Sequence, residues 1–255
     1  MPREPTVGRD DLLEGLRRIG CRKGDVLFFH SSLKSFGWVD GGANTIIDSA
    51  VEAVGPEGTV VVPTFVQRVN GDRAPYAVRR DAWNIDTSPS DVGTITEVFR
   101  KRPDAIRSDH CCDSMAAIGA EAEAVMAAHR ESGPRPSPWD ERAFGHGSPW
   151  DWLRERNALY LLMGVGFRVC SLFHYCQALW VESRTDAHRD GLKWPKFGFV
   201  PVGRRVEAEG IVTGTTVGTS IWQAFRVAPC VEAVAQILEA EPSLITPEPL
   251  RLSGH

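Results

Sequence analysis

Leu12, Leu13, Leu16 and Ile19 recur at helical spacing, so DDLLEGLRRIG (residues 10–20) reads as an amphipathic helix stopped by Gly20. The pattern then changes. DVLFFH is an unbroken apolar run, which predicts a short buried strand ending at His30. A loop rich in turn residues, SSLKSFGWVDGG, leads into ANTIIDSAVEAVG, a helix with Pro56 and Gly58 just past its end. TVVVPTF is a second buried strand, because its β-branched residues run together and Pro63 ends them. Strand, loop, helix, strand is a βαβ-type unit, so the economical architecture is an α/β sheet.

Residues 67–93 lack a clear period. They contain Pro75, Trp83 and DTSPSDVG and read as a long functional loop. Residues 94–102 suit a short helix, SMAAIG a small apolar element, and AEAEAVMAAHR a helix by composition. ESGPRPSPWDERAFGHGSPW is a Pro/Gly loop too short to separate domains, and residues 150–156 look helical. ALYLLMGVGF is a strong buried strand, and RVCSLFHYCQ behind it begins a helix. Residues 186–220 alternate weakly and read as hairpins and loops, and APCVEAVAQILEAEP is the last helix. With no internal repeat or low-complexity tract, residues 1–255 read as one domain.

Composition narrows the function classes. The chain has 29 Lys and Arg against 33 Asp and Glu, a net charge of −4, so no basic field points to nucleic acid. No apolar run reaches the length of about 18 residues that a membrane span needs. The first residues lack a signal-peptide pattern. Cys21, Cys111, Cys112, Cys170, Cys176 and Cys230 show no CxxC spacing, which suits reduced thiols in a cytoplasmic protein.

Four stretches could carry chemistry. FFHSSLKSFG follows a buried strand, where α/β sheets bind ligands. Ser31, Ser32 and Lys34 suit an anion such as phosphate there, or simply form a turn. GVGF begins like a dinucleotide fingerprint, but residue 169 is Val, so the fingerprint fails and the glycines shape a tight turn. In RSDHCCDS, His110, Cys111, Cys112 and Asp113 are too close in sequence for the usual zinc spacings, and no metal is expected. In RVCSLFHYCQ a helix starting near Ser171 would let that hydroxyl cap the backbone. It would also turn Cys170, Ser171, His174 and Gln177 toward one cavity. An imidazole beside a hydroxyl and a helix start suits acyl transfer; it equally suits a satisfied core histidine.

Taken in order, HSSLKSFG with DGGANTIIDSAVEAVGPEGTVVVPTF, TSPSDVGTITEVFRKRPDAIRS, SMAAIG, FGHGSPWDWL, LLMGVGF, His174 and GTTVGTSIWQAFR resemble the aminoglycoside 3-N-acetyltransferase family. The resemblance spans about residues 10–240. It implies one α/β domain, with a central mixed sheet flanked by helices, that binds acetyl-coenzyme A. The acetyl group would pass directly to an amine of an aminoglycoside or related aminocyclitol. The implied cofactor residues are His30, Ser31, Ser32, Leu33 and Lys34, with Ser108, Val217 and Gly218 nearby. His174 matches the family's general base, and Ser171 a threonine near the reacting carbonyl. The implied partners are coenzyme A and a small amine, without nucleic acid or membrane; a homo-oligomer is compatible.

The catalytic segment departs from the family pattern. Cys170 stands for Asn, Ser171 for Thr and Gln177 for Glu, and Cys111 replaces a proline. A neutral Gln177 would weaken His174 as a base, so Gln177→Glu should raise the rate at neutral pH. The changes leave other functions open: a biosynthetic acyltransferase or transamidase for another amine, a thiol-assisted route through Cys170 or Cys111, or a non-catalytic binding protein. A polycationic acceptor needs carboxylates, for which Asp86, Asp91, Glu182 and Asp186 are candidates. Trp38, Trp83, Trp139 and Trp150 could instead line a flatter, more apolar pocket.

Overall fold

The structure, a computed structural model, describes residues 6–184 and 193–249. Its centre is a sheet of β1 (Val26–Ser31), β2 (Thr59–Pro63), β3 (Ile106–Arg107), β4 (Met115–Gly119), β5 (Leu159–Met163), β6 (Thr213–Val217) and β7 (Ser220–Arg226). These lie in the order β6-β7-β5-β1-β2-β4-β3. β1 is parallel to both its neighbours, β2 and β5, and all pairings further out are antiparallel. The sheet is therefore mixed, as the resemblance implied.

The continuous apolar runs have a simple cause. Side chains alternate across a strand, and both faces of this sheet are covered. Leu27 and Phe29 of β1, Val60 and Val62 of β2, and Leu159 and Leu161 of β5 belong to one core. Phe28, Val61, Tyr160 and Leu162 belong to the other. The first core is closed by α1 (Arg9–Arg18), α2 (Gly42–Val54) and, beyond the short α3 (Tyr76–Asp81), by α4 (Thr94–Arg100). The second is closed by α5 (Ala122–Glu131), α6 (Pro149–Glu155), α7 (Leu172–Glu182), α8 (Phe199–Ala208) and α9 (Val227–Ala240).

The expectation of hairpins and loops across 186–220 missed α8. Pro201 and Gly203 disguise it. Pro201 lies in the first turn, where its missing N–H is not needed. Gly203 lets the helix approach Phe167, against which an added Cβ would stand at 2.2 Å. The long loop 67–93 likewise contains α3 and a small pairing of Arg68–Val69 with Asp72–Arg73.

The sheet places the site. β1 and β5 end side by side, with Ser31 opposite Met163, and the Ser32 N–H donates to the Met163 carbonyl at 3.0 Å. The chain leaves β1 for β2 on one side while β5 flanks it on the other. A crevice at the carboxyl ends of such strands is where α/β sheets bind ligands. Gly164 follows β5 at φ +65°, and an added Cβ would stand 1.8 Å from Ser35 Oγ. That close approach lets Ser35 Oγ donate to the Ser32 carbonyl at 2.7 Å and accept from Ser220 Oγ at 2.8 Å.

Candidate active site

A cavity of about 750 Å³ opens at this sheet edge. His30 and Ser31 from the end of β1, Ser171 at the start of α7, and His174 one turn further on all line it. The sequence pattern had turned Cys170 and Gln177 toward the same space, and here the structure differs. Cys170 is fully buried, and Gln177, 2% exposed, stands behind His174. Ser171 does not cap the helix with its side chain; the residue lines the cavity instead.

Gln177 fixes the imidazole. Its Nε2 donates to the Pro195 carbonyl at 2.7 Å, which turns Oε1 to His174. Nδ1–H of His174 therefore donates to that oxygen at 2.8 Å. The tautomer follows: the proton sits on Nδ1, and Nε2 carries a lone pair. Burial pushes the His174 pKa down to about 4, against a smaller upward pull from Gln177. The ring is thus neutral at physiological pH. Trp139 and Phe199 meet it edge-on at 4.8 and 4.7 Å, and Phe144 closes a third side at 6.5 Å.

This geometry reverses the expectation for position 177. A glutamate there would set two acceptor oxygens against each other, its own and that of Pro195, in a buried place. Gln177→Glu should therefore destabilise the fold by about 1–3 kcal/mol. It should give no gain in turnover at neutral pH. Melting temperature and rate measured together check this; a faster and equally stable variant would contradict it.

His30 shares the cavity wall. It is 6% exposed, its Nε2 has no partner among the described residues, and burial pushes its pKa down to about 3. Ser31 Oγ is likewise unpartnered. Both residues line the cavity, and buried polar atoms ordinarily have a hydrogen-bond partner, so these two stand out. The unfolded chain takes up a proton at each imidazole near pH 6.5, whereas folded His30 and His174 resist down to about 3 and 4. Their contribution to stability is present above pH 6.5 and is lost as pH falls toward 4. Asp113, pushed up to about 7 by burial, acts in the opposite sense over pH 3.8 to 7. Fully buried His129, also pushed well below the ordinary value by burial, adds to His30 and His174, so three histidines against one carboxyl predict a melting temperature that drops between pH 6.5 and 4, which a pH series of thermal melts measures.

The remaining sequence candidates are scattered. Ser32 and Leu33 are half-buried and Lys34 is exposed, on the loop just past the cavity. Ser108 is fully buried; its hydroxyl accepts from the Met115 N–H at 2.9 Å and bonds His129 Nδ1 at 2.9 Å, so it does not reach the cavity. Val217 belongs to the first core, and Gly218 sits against Val7 and the Phe36 carbonyl. Trp83 donates to Asp109 at 2.8 Å and lies under Arg107, away from the cavity. Asp86 is exposed elsewhere. Asp186 lies outside the described residues.

Glu182 is part of a clamp. Arg135 binds it at 2.8 Å and Asp151 at 2.7 Å, donates to the Phe144 carbonyl, and lies against the Tyr175 ring. His146 reaches the other Glu182 oxygen at 2.7 Å. The clamp pins the loop that carries Trp139 and Phe144 over His174.

Of the four candidate tryptophans, only Trp139 lines the cavity. Trp150 is buried core and donates to Asp113 at 2.8 Å. The sequence reading missed Arg73, Arg79, Arg168, Asp113 and Phe199 as lining residues. The arginines sit in short elements that the sequence pattern did not show, Arg73 in a two-residue strand, Arg79 in α3 and Arg168 in a single helical turn, and Phe199 opens the helix that Pro201 disguised. Burial pushes the Cys170 thiol up to about 12, which makes it a poor nucleophile. Cys111 differs. A hydrogen bond from Cys112, 3.4 Å away, draws its pKa down to about 7, while Cys112 itself is pushed up. All six cysteines are free.

Known proteins resemble this chain in sequence and fold. A family model described as aminoglycoside 3-N-acetyltransferase matches residues 28–239. The aminoglycoside N(3)-acetyltransferase III of Salmonella sp is 28% identical over 242 residues, 91% of this chain and 79% of that protein. The aminoglycoside N(3)-acetyltransferase IX of Micromonospora chalcea is 30% identical over 184 residues, 68% of this chain. That match spans 62% of the relative, less than two thirds of its length. The crystal structure of the aminoglycoside acetyltransferase AAC(3)-Xa is similar with a TM-score of 0.75 at 28% identity, covering 93% of this chain and 94% of that one. Fold and relatives together define the class, an acyltransferase enzyme built on a mixed α/β sheet. The chain belongs to the aminoglycoside 3-N-acetyltransferase family.

Proposed function

We propose that residues 1–255 act as one acetyl-coenzyme A-dependent N-acetyltransferase, with His174 as general base and direct transfer to an amine of an amino sugar or aminocyclitol related to the aminoglycosides. The observation that carries this reading is the His174 ring: Nδ1–H held by Gln177, and Nε2 left to accept a proton at a cavity wall. The acceptor enters as a free amine. Its nitrogen bonds to the acetyl carbon while His174 Nε2 takes the N–H proton. The C–S bond breaks, and the proton passes from the imidazolium to the leaving coenzyme A thiolate. A histidine whose pKa is near 4 returns that proton readily. Ser171 lines the same space, and its hydroxyl can donate to the carbonyl oxygen as charge develops there. Unpartnered His30 Nε2 and Ser31 Oγ suit the acyl-pantetheine end of the donor, and Ser32, Leu33 and Lys34 lie along the outward path.

The reduced thiols suit a cytoplasmic enzyme. Among the described residues no helix is long and apolar enough to cross a membrane. Calorimetry with acetyl-coenzyme A, followed by thiol release on adding amines, tests the function. Binding and amine-dependent thiol release are expected. Absence of binding rejects the function, and binding without thiol release from any amine leaves a sequestering protein.

A further inference from the structure

The charge of the cavity does not suit a polycation. Arg73, Arg79 and Arg168 line it, opposed only by Asp91 and Asp113. One Asp91 oxygen already accepts the N–H groups of Gln67 and Arg68, at 2.7 and 2.8 Å. Asp113 is 8% exposed, and its Oδ2 accepts from Trp150. Elsewhere in the chain arginines pair with carboxylates: Arg100 with Glu97, Arg135 with Asp151, Arg205 with Glu241, Arg226 with Asp25. Among the described residues no carboxylate pairs with Arg73, Arg79 or Arg168. Arg79 donates one N–H to the Val66 carbonyl at 3.0 Å, and its buried Nε has no partner. Three arginines without a carboxylate partner among the described residues thus line one cavity.

We infer that the acceptor is an amine that also carries a carboxylate, which this arginine wall holds while His174 faces the amine. The inference rests on the acyl-transfer reading above. A guanidinium fork matches a carboxylate with two parallel hydrogen bonds, and each such charge-assisted bond is stronger than a neutral one. The same guanidiniums would repel an acceptor bearing several ammonium groups. Coenzyme A phosphates offer the same anionic chemistry. The arginine variants below separate the two anions by whether they change acceptor ranking or donor binding. The end of the donor that shares the cavity with His174 is the thioester, and the phosphates lie many bonds away.

Matched acceptors test this: muramic acid against glucosamine, and β-alanine against β-alaninamide, with sisomicin as the polycation. Each is measured by thiol release, and by calorimetry on the coenzyme A complex, where no turnover is needed. The carboxylate member of each pair is expected to win by about ten- to hundredfold in kcat/KM or affinity. Arg168→Gln and Arg73→Gln, both at exposed positions, should erase that preference without weakening acetyl-coenzyme A binding. Arg79→Gln should do the same more strongly. Equal or cation-favouring ranking overturns the inference. So do arginine variants that weaken acetyl-coenzyme A binding and leave the ranking intact, since the arginines would then serve the donor. Failure of acetyl-coenzyme A to bind the unaltered protein is a different result and overturns the acyl-transfer function itself.

Discussion

His174→Ala is expected to fold, to bind acetyl-coenzyme A as the unaltered protein does, and to lose about 10²–10⁴-fold in turnover. The size of the loss follows from what is removed. Nε2 is the imidazole atom left to accept a proton, because Nδ1–H is committed to Gln177. Alanine also empties the space between Trp139, Phe144 and Phe199, which could shift that wall. His174→Gln separates the two effects: it fills the space but offers no comparable base. If both variants lose turnover equally while their melting temperatures differ, the base accounts for the loss. Added imidazole should restore part of the rate to the alanine variant. A loss smaller than about tenfold in both would remove His174 from the chemistry.

The largest expected effect on stability lies at Arg135. Arg135→Ala should destabilise the protein by about 3–5 kcal/mol, the usual consequence of removing one partner from a buried ion pair. Its side chain is 4% exposed and meets Asp151 and Glu182, themselves 15% and 31% exposed. Without the guanidinium, two carboxylates are left close together in a poorly hydrated place. In a protein of this size the melting temperature should fall by about 6–20 °C. Arg135→Lys should recover only part of this, because an ammonium cannot serve both carboxylates and the Phe144 carbonyl in the planar geometry of a guanidinium. Melting curves of both variants decide the matter; a change under about 1 kcal/mol in the alanine variant would mean the clamp does not hold the loop.

Legibility in the sequence tracked burial. β1, β2 and β5 are buried on both faces, so their apolar runs stood out, and α2 and α9 showed helical periodicity with clear ends. Helix α8 did not, because the residues that let it pack on Phe167 are those that ordinarily break helices. Order within the sheet was not legible either, since the antiparallel outer strands depend on pairings made across long stretches of chain. At the site, His174 emerged only when the motifs were taken in family order. The role of Gln177 stayed hidden because its second partner is a main-chain carbonyl, that of Pro195, which no side-chain pattern marks. Glu182 illustrates the reverse: a carboxylate at the end of the helix that carries His174 looked like a ligand for ammonium, and it is the counter-ion of an arginine 47 residues earlier.

The hydrogen bond between Ser35 and Ser220 joins residues 185 apart, and Gly164 sits beneath it. Assembly of this corner therefore has an order in time. During synthesis the loop after β1 leaves the ribosome early, but Ser220 leaves only after β5 and β6 have been made. Until β7 pairs with β5, the loop lacks the contacts that shape it: the Ser220 hydroxyl, and the Thr219 hydroxyl on the Ser35 carbonyl at 2.6 Å. Closing such distant segments is slow compared with forming local helices. A nascent chain stopped short of Thr213 would thus carry the β1–β2–β5 platform without a finished ligand mouth. Competence to bind would arrive as one of the last events of folding.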